Sequence, residues 1–195
     1  MIEKLLKQIK EDKVDNMSTT SFKFKRDVWD FFQGFQDKIA VEFGTHKGQT
    51  TRILSFLFKK VYTINNNDNI MAKDLNQDRN NIVYLNFDLY SNQLLPINEE
   101  ISMFLIDAGH EYDNVISDIN LAFSLNHTSN CYIVFDDYGL IQYAHHVHKA
   151  VNQAMNIGAL NFIKGIGHEE GFNFGGEPPR ILHNHEGLIT KINFQ

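Results

Sequence analysis

The sequence predicts a single α/β domain, and three observations carry the prediction. Seven short apolar runs rich in Val, Ile, Phe or Tyr read as buried strands. Stretches of helical length and spacing alternate with most of them. Several of the runs end in glycine or carboxylates, at the sheet edge where open α/β folds bind their ligands. Strand alternating with helix implies a parallel sheet covered on both faces, because right-handed crossovers place the helices there. The chain has 195 residues, 43% of them hydrophobic and 12% aromatic, which suits one domain with a sizeable core.

Ile2, Leu5, Leu6 and Ile9 recur at helical spacing in residues 1–13, and DVWDFFQGF predicts a second short helix carrying Val28, Trp29, Phe32 and Phe35. Between them DNMSTTSFKFK reads as a polar loop. Strands are expected at KIAVEF, KVYTIN, NIVYLNF, ISMFLID and CYIVFDD. Helices are expected at GQTTRILSFLFKK, DNIMAKDLNQDR, EYDNVISDINLAFSLN and LIQYAHHVHKAVNQAMN, with an irregular connection through Pro96. Beyond residue 157 the alternation stops. GALNFIKGIG and HEGLITKINF read as two strands around the Gly- and Pro-rich EEGFNFGGEPP, an antiparallel hairpin at one sheet edge.

Composition excludes several function classes. Eighteen Lys plus Arg against 24 Asp plus Glu give a net charge of -6, so no basic face dominates and nucleic acid is not the expected partner. Cys131 is the sole cysteine, which excludes an internal disulfide and a multi-cysteine zinc site and fits a reducing compartment. No apolar run is long enough to span a bilayer, and MIEKLLKQIKEDK has no signal-peptide core. The expectation is a soluble cytoplasmic protein with no membrane partner.

The first predicted strand ends in IAVEFGTHKGQT, an acid followed by two glycines four apart. Gly44 and Gly48 allow a sharp turn and a close backbone approach, and Glu42 adds an acceptor beside them. G-x-G-x-x-G and G-K-[ST] are both absent, so neither a dinucleotide pyrophosphate nor a nucleotide phosphate cradle is indicated. An acid beside a glycine loop suits a ligand with a cationic amine. The plain alternative is a strand-to-helix turn that needs glycine for backbone reasons alone.

E-x-G-x-x-x-G at this position resembles motif I of the class I S-adenosylmethionine (SAM)-dependent methyltransferases, over roughly residues 36–195. The resemblance implies a Rossmann-like seven-stranded mixed sheet, six strands parallel and the last antiparallel, as a domain of residues 36–195 preceded by an N-terminal helical segment of residues 1–35. It further implies that Glu42, Gly44, Thr45 and Gly48 hold SAM, with Asp107 close by. The acid that usually ends the second strand, on the ribose hydroxyls, is here Asn65, which lacks a charge-assisted bond. Asp68 is a near substitute, although its natural role is a helix N-cap. Asp88 stands where the family often places its contact to the adenine amino group.

FLIDAGHEYDNV and YIVFDDYG deliver Asp107, Asp136 and Asp137 to the same edge if their strands are neighbours. Three such carboxylates raise one another's pKa unless a cation is present, and a hard divalent ion bound by oxygen is the natural partner. The DDYG segment resembles the metal-dependent O-methyltransferases typified by macrocin O-methyltransferase. That likeness implies magnesium or a related ion on Asp107, Asp136 and Asp137, and a sugar or other small polar molecule as methyl acceptor. Asp107 and His110 are the candidate catalytic residues, His110 as general base. Helix capping by Asp136 and loop bonding by Asp107 are the structural alternatives.

His145, His146 and His148 read as an exposed helix surface, His183 and His185 as solvent-facing, and the 16 Phe residues as core. Phe22, Phe24 and Trp29 leave a pocket wall or a homo-oligomer contact open. Two rival functions stand beside the metal-assisted one: a metal-independent methyltransferase on another small molecule, and a non-catalytic binding protein on the same fold.

Overall fold

The computed structural model describes residues 1–9, 19–91, 93–173 and 180–193. Five parallel strands form first: β1 (Ile39–Phe43), β2 (Lys60–Asn65), β3 (Ile82–Asn86), β4 (Ile101–Ile106) and β5 (His127–Phe135). The terminal pair is β6 (Leu160–Glu169) and β7 (His185–Ile192), and the sheet order is β3-β2-β1-β4-β5-β7-β6. β7 runs antiparallel to both of its neighbours, so six strands are parallel and one is reversed, as the sequence predicts. The terminal hairpin lies at one sheet edge as expected, with β7 inserted between β5 and the edge strand β6.

Side-chain alternation along the strands divides the core into two layers. Val41 and Phe43 of β1, Phe104 and Ile106 of β4, and Ile133 and Phe135 of β5 pack with α5 (Tyr112–Ser124) and α6 (Lys149–Asn156). Ala40, Val61, Met103, Leu105 and Val134 face the other way, onto α1 (Ile2–Ile9), α2 (Phe22–Phe31) and α3 (Gln49–Leu57). Phe24 and Val28 of α2 are fully buried there, which supports the core reading of the entering aromatics. No helix among the described residues is long and apolar enough to cross a membrane.

Several local readings change. α2 begins at Phe22, inside the segment read as a loop, because Ser21 caps it: Ser21 Oγ accepts the Phe24 N–H at 3.0 Å. α4 (Ile70–Leu75) is half as long as expected and starts after Asn69, so Asp68 is not its N-cap. Asn76 ends it by donating Nδ2 to the Gly48 and Ala72 carbonyls. LIQYAHHVHKAVNQAMN is no single helix. It comprises a 3-10 turn (Ile141–Tyr143), a π turn (Ala144–His148) and then α6. Of the Gly- and Pro-rich connection, Glu169 still belongs to β6 and residues 174–179 lie outside the described residues.

Candidate functional site

The carboxyl ends of the strands form one continuous rim. Asp107 N donates to the Phe43 carbonyl at 2.9 Å and Asp136 N to the Ile106 carbonyl at 3.2 Å, so β1, β4 and β5 end side by side. Above them lies a cavity of about 890 Å³. Every residue the sequence nominates lines it: Glu42, Gly44, Thr45, Gly48, Asn65 and Asp88 toward one side, Asp107, His110, Asp136 and Asp137 toward the other.

Glu42 shares the strand parity of Ala40, so its carboxylate points to the α3 side, 1% exposed. There Oε2 accepts the hydroxyls of Thr51 and of Thr63, the latter at 2.6 Å, and Thr63 pairs with Thr45 Oγ1 at 2.7 Å. Burial outweighs these two bonds and pushes the Glu42 carboxyl up to about 8. At neutral pH the acid therefore keeps its proton until a cation arrives. The sign follows: the unfolded chain loses this proton near pH 4.5 and the folded one near 8, so this group's contribution to stability falls as pH rises between them. A ligand ammonium favours the ionised form. The Kd of S-adenosylhomocysteine (SAH), measured by calorimetry from pH 6 to 7, should fall by roughly tenfold. In Glu42→Gln the profile should flatten, and a flat wild-type profile would show that Glu42 does not meet the amine.

Both glycines take the sharp turn expected of them, and packing adds a second reason. Gly44 has φ +94°, and a Cβ built there would stand 1.8 Å from the Asp107 carbonyl oxygen. Gly48 has φ +75°, and its Cβ would meet Ala72 Cβ at 2.6 Å and Asn76 Nδ2 at 2.9 Å. Both positions need glycine because neighbouring strand and helix residues close on them, and a side chain at Gly48 would strike α4. The backbone alternative for this motif accounts for the glycines, although both still line the cavity.

Asn65 lies half-exposed at the end of β2, opposite Asn86 in register. Asp68 Oδ1 accepts Asn86 Nδ2 at 3.4 Å. Asp88 is exposed, and its Oδ1 accepts the Tyr90 N–H at 3.0 Å.

On the opposite side the structure gathers Asp107, His110 and Asp137, one ligand atom from each lying within 4.8 Å of the others. His110 Nε2 stands 2.8 Å from Asp137 Oδ2 and 3.7 Å from Asp107 Oδ1, ion-pair contacts without hydrogen-bonding alignment. Its ring stacks on Tyr143 at 4.4 Å. Asp137 reaches across from a left-handed backbone, φ +58°. Burial opposes the imidazolium, but the two carboxylates prevail and raise His110 to about 10. Burial likewise raises Asp107, to about 6, against the pull of His110. The two carboxylates thus favour the protonated imidazole.

Asp136 does not join that trio. It is 7% exposed, its Oδ1 has no hydrogen-bond partner among the described residues, and burial together with Asp137, Asp107 and Glu186 holds its carboxyl well above the usual range. Nor does it cap a helix, since the next turn starts after Leu140.

Glu186 was not legible in the sequence. This buried β7 carboxylate lines the cavity and accepts Ser21 N at 2.8 Å, Ser21 Oγ at 2.5 Å and His168 N at 3.0 Å, fastening the start of α2 to the rim. Nothing local marks it, because Ser21 is 165 residues away. Of the other histidines, His46 also lines the cavity, while His146, His148 and His183 do not. His148 stacks on His183 at 3.9 Å, and His146 Nδ1 pairs with Glu111 Oε2 at 3.0 Å.

The profile of the family described as "Methyltransferase domain" matches residues 41–138, from β1 through the DDYG tyrosine. No curated protein matches. Among solved structures, the fold is similar to tRNA (m1A58) methyltransferase TrmI from Aquifex aeolicus, with TM-score 0.65 and 17% identity over 100% of this chain and 76% of that one. It is also similar to the Streptococcus mutans protein SMU.1697c, solved in complex with SAH, with TM-score 0.61 and 14% identity over 86% and 97%. Aeropyrum pernix fibrillarin with natively bound SAM follows at TM-score 0.57 and 11% identity over 85% and 74%. With the profile covering half of the sequence and the strand order and cavity agreeing with it, this chain belongs to the methyltransferase-domain family and has the class I SAM-dependent methyltransferase fold.

Proposed function

We propose that this protein transfers a methyl group from SAM to a hydroxyl of a sugar or other small polar acceptor, with a divalent cation beside the transferred group. The observation that carries this reading is the Asp107, His110 and Asp137 cluster, which lines the same cavity as the glycine turn. Glu42 would meet the ammonium of SAM's amino-acid part, Asn65 the ribose and Asp88 the adenine. The sulfonium supplies an electrophilic methyl group: the C–S bond breaks with its electron pair going to sulfur, a C–O bond forms, and the acceptor oxygen gives up its proton. Where no cation is bound, Asp107, whose carboxyl burial raises to about 6, is a carboxylate able to receive that proton near neutral pH. Gln142 and the Tyr143 ring flank the cluster and offer a polar edge and a flat face to a hydroxyl-rich molecule.

The donor set fits a divalent cation. A cation between the carboxylates would take the place of the His110 proton and lower the pKa of an acceptor hydroxyl. Two carboxylates and one imidazole suit manganese or another first-row ion better than magnesium, which prefers oxygen throughout and would engage Asp136 instead of His110. The test has two stages. SAH binding by calorimetry is expected, and its absence at millimolar ligand would favour the non-catalytic binding protein. Methyl transfer to hydroxyl acceptors is then measured after exhaustive chelation and again after manganese or magnesium is restored. Full activity in the chelated protein would move the reading to the metal-independent enzyme, in which the aspartates only position the acceptor.

A further inference from the structure

Tyr90 lies two residues beyond Asp88, with its side chain on the cavity wall. Its N–H closes a short turn onto Asp88 Oδ1, and its hydroxyl accepts the backbone N–H of Gly109 at 2.8 Å. The same hydroxyl faces Asp118 Oδ2 at 3.5 Å. Asp118, on α5, is fully buried, and its Oδ1 has no hydrogen-bond partner among the described residues. A buried carboxylate with a bare oxygen destabilises a fold, so its place opposite this hydroxyl calls for a reason. Gly109 supplies one. It sits between Asp107 and His110 and has no room for a side chain, since a Cβ would stand 2.3 Å from the Tyr90 hydroxyl. Without a tie, a glycine in a loop samples several backbone conformations, and the side chains on either side of it swing with them.

We propose that Tyr90 is a positioning residue: its hydroxyl, oriented by Asp118, fixes the Gly109 amide and thereby the directions from which Asp107 and His110 meet Asp137. The inference rests on the reading of Asp107, His110 and Asp137 as the working cluster, and it holds with or without a metal.

Tyr90→Phe tests it, keeping the ring and removing only the oxygen. In protein carrying 13C-labelled histidine, the wild-type His110 ring should give one sharp resonance. The variant should broaden or split it, with the His127 signal unchanged and Tm within about 3 °C. Mn2+ is the probe for the cluster, and the variant should bind it roughly tenfold more weakly. SAH affinity should stay within about twofold. Asp118→Asn should disturb the His110 resonance in the same sense, and it carries the test if Tyr90→Phe does not fold. A sharp, unshifted His110 signal in a folded variant would overturn the proposal, whether or not Mn2+ binds. Failure of the wild type to bind Mn2+ would count against the metal reading alone.

Discussion

Gly44→Ala should be the most damaging single substitution at the rim, destabilising the fold by on the order of 3–5 kcal/mol and lowering Tm by roughly 10 °C. Two effects combine. The backbone there has φ +94°, which an L side chain rarely adopts, and the new Cβ would lie 1.8 Å from the Asp107 carbonyl oxygen. Neither β1 nor β4 can retreat without breaking the bond from Asp107 N to the Phe43 carbonyl. Gly34 is the built-in control: its φ is +93°, but nothing lies within 4 Å of a Cβ there. Gly34→Ala should cost only about 1 kcal/mol. Equal losses of Tm in the two variants would show that the approach of β4 to Gly44 is not what demands glycine.

Asp137→Asn should have the largest effect on catalysis, a loss of turnover of about 100-fold or more with SAH affinity within about twofold. Asparagine is the appropriate replacement because Asp137 occupies a left-handed conformation that Asn tolerates, so stability should be nearly unchanged. What disappears is the carboxylate 2.8 Å from His110 Nε2. One of the two charges that hold the imidazolium goes with it, and so does one donor of the three-residue cluster. Turnover measured at saturating SAM, with SAH calorimetry in parallel, separates the two effects. Retained turnover would place the chemistry away from the Asp107, His110 and Asp137 cluster.

Both substitutions lie in motifs visible in the sequence, but the reasons for their effects are visible only in space. Gly44 was legible as a glycine needed at a strand end. That it faces the Asp107 carbonyl depends on β1 pairing with β4, which are some 60 positions apart in sequence. Asp107 and Asp137 were legible as carboxylates at strand ends. That His110 and not Asp136 completes their cluster depends on the left-handed turn at Asp137 and the stacking of Tyr143.

The sequence by itself determined the seven strands, the reversal of the last and the edge of the sheet that carries the site. The strands and the edge follow from local apolar runs and the residues that end them, and the reversal of the last strand from the resemblance to the methyltransferase fold. Tertiary structure alone decided the insertion of β7 between β5 and β6, the broken helix at 141–156, the threonine pair that holds Glu42, and the Glu186 clamp on Ser21. It also decided the two carboxylates that face His110 and the link from Tyr90 to Gly109. The physical reason is common to them all. Hydrogen bonds, desolvation and charge pairing act over a few ångströms between residues that lie far apart along the chain, and no local pattern of residues encodes which distant partner will arrive.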